Sequence, residues 1–123
     1  KGLCKFNGNT FTQIKLPYFD TSSEWFKSVY PTVNPNQAVS IIQDKSGIFW
    51  IGTSGAGAYK YDENSFENIL AEKGRKYEDS LYHNAIQNII QDKNGNMWFG
   101  GRKGNLWKYD GENLTDLTQL KNE

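Results

Sequence analysis

Two aspartates, Asp44 and Asp92, stand at the head of the same spaced pattern, with Gly three residues on (Gly47, Gly95), Trp six on (Trp50, Trp98) and Gly eight on (Gly52, Gly100). A pair of carboxylates invites an acid and base reading, in which both converge on one bond of a substrate. Their equivalence argues against it, because side chains repeated in successive units are spread through a structure rather than gathered at one point. Asp before Lys-Ser-Gly or Lys-Asn-Gly is turn chemistry: the carboxylate accepts backbone N–H bonds, and Gly takes a positive φ. Asp62 and Asp110, which follow YKY and WKY, read as caps of a second turn, since calcium would need several converging oxygen ligands in a spacing this chain lacks. The stretch GTSGAGA at 52–58 is glycine-rich but has neither the Gly-Lys-Ser/Thr ending nor the following helix of a phosphate loop. His83 is the single histidine and Cys4 the single cysteine, which gives no zinc set, no Ser-His-acid arrangement and no internal disulfide. No catalytic residue, metal ligand or cofactor is expected. Asp44, Gly47, Trp50, Gly52, Asp92, Gly95, Trp98 and Gly100 are expected to be structural.

The elements that position these residues follow from the repeat itself. Residues 43–66 recur without a gap as residues 91–114, at an offset of 48, and GLCKFNGNTF at the start echoes GAYKYDENSF at 57–66. A repeat of that length is a structural unit. Within it, AVSIIQ at 38–43 and IFWI at 48–51 flank the Asp-Lys-Ser-Gly turn as antiparallel strands. A small-residue connection at 52–57 leads to a third strand at 58–61 and a fourth at 66–70. The later unit repeats this with strands at 85–91, 96–100, 105–110 and 113–117, its first turn marked by the strong Asn94-Gly95 pair. Strands at 3–6 and 10–14 are expected to be the last two of a preceding unit, making about ten strands in all. Stacking such sheets face to face buries what one sheet cannot bury alone and keeps edges short. The fold class is therefore all-β, a β-propeller fragment of about two and a half four-stranded blades. Its expected divisions are 1–14 (last two strands of a blade), 15–37 (insertion), 38–70 (full blade), 71–84 (connection), 85–118 (full blade) and 119–123 (tail).

Composition narrows the partners. With 14 basic and 14 acidic side chains the formal charge is zero, so no global field draws in nucleic acid or anionic lipid. No run approaches the 18 apolar residues of a membrane helix, and no direct membrane insertion is expected. The hydrophobic fraction is 37%, low for a compact core, and aromatic residues at 15% must supply the bulk. Beginning in mid-repeat, the chain reads as a piece of a longer one or as a unit that assembles with copies of itself. Its expected partners are accordingly other propeller blades, in the same chain or in trans.

The pattern N-x-A/I-x-x-I-I-Q-D-K-x-G-x-x-W-x-G, at 36–52 and 84–100, each time followed by YKYD or WKYD, resembles the propeller repeats of two-component regulators. Such repeats are best known from the periplasmic sensor regions of hybrid histidine kinases of Bacteroides-like bacteria. The chain departs from that pattern at Ala56-Gly57-Ala58, where Gly-Gly-Leu is usual, and at Gly101, where its sister has Thr53. The resemblance implies seven-bladed rings, a periplasmic or extracytoplasmic setting, sensing of polysaccharide breakdown products and coupling to a kinase outside this segment. D-x-x-G-x-x-W also looks like the Asp-box turn of glycan-active propeller enzymes. There a Ser or Thr sits two residues before the Asp, whereas here Ile42 and Ile90 do.

Specificity should reside where the units differ. The connections at 15–35 and 71–84 vary most, and loops on a rigid repeat scaffold commonly carry recognition. In the first, Ser22 or Ser23 is placed to cap a short helical turn over 24–27. Trp25, Tyr30, Tyr82 and His83 offer faces for stacking on a sugar, and Arg75 and Arg102 offer hydrogen-bond donors, so an oligosaccharide is the expected ligand. The same side chains would equally serve to pin long connections to the blades. Three functions stay open from sequence: a noncatalytic sensor segment, a structural or protein-interaction scaffold, and part of an Asp-box-like glycan-active enzyme.

Overall fold

The computed structural model describes residues 3–17, 37–70, 84–101 and 104–118. Ten strands are found among them. β1 (Leu3–Phe6) and β2 (Phe11–Ile14) form a hairpin. β3 (Ala38–Gln43), β4 (Phe49–Thr53), β5 (Ala58–Tyr61) and β6 (Phe66–Asn68) form one four-stranded antiparallel sheet in chain order. β7 (Ile86–Gln91), β8 (Met97–Gly101), β9 (Leu106–Tyr109) and β10 (Leu114–Asp116) form a second sheet of the same order. These are the two propeller blades that the repeat predicts, with the outer half of a third.

Strand limits differ slightly from those read in the sequence. β4 continues through Gly52 and Thr53, which periodicity assigned to a connection, because Gly52 pairs with Ala58 and Thr53 with Ala38. The fourth strand of each blade stops at Asn68 or Asp116. Beyond that point the chain bonds back by single links from Ile69 N to Ala58 O (2.9 Å) and from Leu117 N to Leu106 O (2.8 Å). The helical turn expected over 24–27 lies outside the described residues.

The innermost strands carry the same irregularity, a register shift between Ala38 and Ser40 and another between Ile86 and Asn88. An extra residue interrupts strict alternation, so that residues three apart can share a face. Ile86 and Ile89 are accordingly both buried. They join Trp50, Ala58, Leu70, Met97, Phe99 and Trp107 in the main apolar cluster, which draws on both blades. Burial of large aromatics thus offsets the low aliphatic content, at about 25 cal/mol for each Å² of apolar surface removed from water.

The outer hairpins repeat as closely. Asp62 Oδ1 accepts from Asn64 N and Ser65 N, Asp110 Oδ1 from Glu112 N and Asn113 N, and Asn7 Oδ1 from Asn9 N and Thr10 N. Behind these turns, Tyr61 stacks on Phe66 at 4.2 Å and Phe6 on Phe11 at 4.6 Å.

Candidate functional site

Each repeated aspartate organises its turn with both oxygens. Asp44 Oδ1 accepts from Ser46 N (2.8 Å) and Ile48 N (3.0 Å), and Oδ2 accepts from the Trp50 indole Nε1 (2.8 Å). Asp92 repeats this with Asn94 N (2.9 Å), Asn96 N (2.9 Å) and Trp98 Nε1 (2.9 Å), and gains Asn96 Nδ2 at 3.1 Å. Gly47 and Gly95 close the turns at φ 88° in both cases, a conformation that costs a Cβ-bearing residue dearly. The indole N–H of Trp98, joined by the Asn96 and Asn94 donors, holds the Asp92 carboxyl down to about 2 against the opposing effect of desolvation. Asp62 and Asp110 are likewise lowered, chiefly by the backbone N–H of Ser65 and of Asn113 respectively. A carboxylate so stabilised in its charged form is a poor proton donor at neutral pH.

The rings these turns position form the seam between blades. Trp50 is buried and meets Phe99 at 5.8 Å and Tyr109 at 5.7 Å, both from the following blade. Lys60 Nζ lies over its ring at 5.9 Å, and Lys108 Nζ lies over Trp98 at 5.4 Å. Burial raises the Tyr109 phenol above its ordinary range, with Glu67 and its acidic neighbours adding to the effect. Trp98 keeps its bond to Asp92 but is only half-buried, since its outward face has no following blade among the described residues.

Polar bonds cross the seam as well. Lys45 N donates to Gln91 Oε1 (2.9 Å), Gly57 N to Asn84 O (2.9 Å) and Ser40 Oγ to Ile86 O (3.4 Å). Gln91 meanwhile donates to Gly95 O in its own turn at 3.3 Å, so one side chain ties two blades. At Gly52 the blades approach so closely that a Cβ would meet Ser40 Oγ, and would lie 2.6 Å from Ile86 O. Sequence reasoning missed the roles of Gln91, Gly52 and the Asp–Trp bond. The signal for the first and third was present, since Gln43 and Gln91 recur at equivalent positions and the six-residue spacing from Asp to Trp is kept in both units.

The eight repeated motif residues are therefore parts of turns, strands and the seam. Among the described residues no group of three or more His, Cys, Asp or Glu is arranged to hold a metal ion. Trp25, Tyr30, Arg75, Tyr82, His83 and Arg102, the expected ligand contacts, lie outside the described residues. No helix among the described residues is long and apolar enough to cross a membrane.

Comparison with known families settles what the repeated unit is. A two component regulator propeller model matches residues 32–55 and again residues 83–103. Both segments are two component regulator propeller repeats. The matched stretches bracket the Asp turns, the Trp strands and Gly52 or Gly100, the same parts that build the seam. A regulator propeller repeat is thus a turn-and-seam device here, and the family implies a propeller domain of a two-component regulator. No curated protein and no solved structure gives a significant match.

Proposed function

We propose that the chain is a noncatalytic propeller segment of an extracytoplasmic sensor, which recognises polysaccharide-derived ligands and passes their binding to two-component signalling. The observation that carries this reading is the pair of regulator propeller repeats at 32–55 and 83–103. The noncatalytic part is supported by the repeated carboxylates, whose oxygens serve turn N–H groups and an indole. Support for a glycan ligand comes from the composition of the variable connections, where Trp25, Tyr30, Tyr82 and His83 stand with Arg75 and Arg102. Aromatic faces with planar donors suit the apolar faces and hydroxyl edges of sugars.

Calorimetric titration against a panel of plant and mucosal oligosaccharides, with amino acids and small organic anions as comparison classes, tests the assignment. Saturable binding of an oligosaccharide, weakened by Trp25→Ala or Tyr82→Ala in a chain that still folds, is expected. Tight binding of another class with none to any oligosaccharide would overturn the glycan reading. Measurable turnover of a glycan would overturn the noncatalytic one.

A further inference from the structure

β1 occupies the place in its unit that β5 and β9 occupy in theirs: Lys5 corresponds to Lys60 and Lys108, and Cys4 to Tyr59 and Trp107. In the complete blades that strand is paired on both sides, β5 with β4 and β6, and β9 with β8 and β10. Among the described residues β1 pairs with β2 alone. Its inner edge therefore presents the backbone groups that its sisters give to a neighbouring strand.

The surface beside that edge has the matching character. Ile41 is 48% exposed, whereas its sister Ile89 is 5% exposed against the preceding blade. Val39 stands equally exposed next to it. A cleft of about 120 Å³ opens between hairpin and blade, with Leu3, Cys4, Ile14, Ile41, Phe49 and Tyr61 among its walls. Lys5 supplies a separate clue. Lys60 and Lys108 each lie over the tryptophan paired with them across the inner edge of their strand. Lys5 instead reaches an exposed carboxylate, Glu63 Oε1 at 3.3 Å.

We infer that the open edge of β1 and the exposed surface of Val39 and Ile41 form a docking site for an antiparallel strand pair of this same repeat type, carried by another repeat. Its register follows from the complete blade, where Trp50 pairs with Lys60 and Ile51 with Tyr59. The docked tryptophan lies opposite Lys5, the residue after it lies opposite Cys4, and the indole reaches Tyr61 as Trp50 reaches Tyr109. A whole four-stranded blade does not fit, because β1 and β2 already hold the outer half of that space. The mode is strand addition: main-chain bonds supply affinity, and the pocket for one aromatic supplies specificity. This rests on the repeat geometry and is independent of what the propeller senses.

Cys4 is exposed and is the single cysteine, while its sisters Tyr59 and Trp107 are 3% and 2% exposed, so its thiol reports occupancy. The probe is a synthetic peptide with the sequence of residues 37–53, added to the full chain while thiol alkylation is followed. Severalfold slower labelling of Cys4 is expected, with protection lost when the peptide carries alanine for its tryptophan or the chain carries Ile41→Glu. The same strand pair joined ahead of Lys1 by a short flexible linker should give protection without added peptide. Unchanged labelling in both formats, or equal protection by the tryptophan-free peptide, would overturn the inference. So would sedimentation showing that the chain alone dimerises with Cys4 protected, since the occupant would then be a second copy.

Discussion

Alanine in place of Trp50 and, separately, in place of Trp98 should cost unequal amounts of stability, although the two residues head the same motif. Both indoles donate to an aspartate, at 2.8 and 2.9 Å, and both carry a lysine over the ring, at 5.9 and 5.4 Å. Trp50 alone of the two meets rings of a following blade, Phe99 at 5.8 Å and Tyr109 at 5.7 Å, among the described residues. Truncating a buried tryptophan typically costs about 3–5 kcal/mol. Aromatic pairs add about 0.5–1.5 kcal/mol each beyond area, so the two pairs at Trp50 should separate the variants by about 1–3 kcal/mol. Urea unfolding followed by far-ultraviolet circular dichroism, under one set of conditions, gives both losses. Should Trp50→Ala not fold, Trp50→Phe and Trp98→Phe make the same comparison with a smaller cavity. Losses equal within about 0.5 kcal/mol would refute the claim that the seam, rather than the Asp turn, dominates the energetics of this motif.

Acid should act through Asp92. Its carboxyl titrates at about 2 when folded, against an ordinary 3.8, so its contribution to stability is complete above the ordinary value and is lost as pH falls toward 2. Trp98→Phe removes the largest cause, and a carbon-detected titration should find the Asp92 midpoint moved upward. Gly52→Ala should destabilise by about 1–3 kcal/mol through overpacking, whereas Gly100→Ala, whose Cβ would find only Asn88 at 3.9 Å, should be far milder in thermal melts. Thr53→Val preserves shape but strips the hydroxyl that accepts from Ala56 N and donates to Gly57 O, both at 2.8 Å, and unfolding should show a loss of about 1–3 kcal/mol.

The blades were legible because their determinants are local. Asp44, Ser46 and Gly47 specify a turn within four residues, and the apolar strands on either side follow from alternation, whatever the rest of the chain does. The seam was not legible in the same way. That Gly52 is required by Ile86, or that Gln91 reaches the amide of Lys45, depends on how one blade lies against the next, and no local pattern encodes that distance. Trp50 shows the boundary: its size announced packing, but its bond to Asp44 needed the hairpin to bring residues six apart together. The proposed ligand contacts are harder still, because Trp25, Tyr82 and their neighbours sit in the segments where the units share least sequence.

The two units also solve one corner differently. In the first, Thr53 donates its hydroxyl to Gly57 O, and the positive φ falls on Gly57. In the second, Gly101 stands in for the threonine, the Asn105 side chain lies where a Cβ on Gly101 would be, and the positive φ has moved one place earlier, to Gly104. The backbone link is kept in both, from Thr53 N to Gly57 O at 3.0 Å and from Gly101 N to Asn105 O at 2.9 Å. These positions can therefore be inherited only as a set. Recombination between the duplicated gene segments would be tolerated when its junction falls outside this corner and punished when it splits it, so the units can drift apart while exchanging almost everything else.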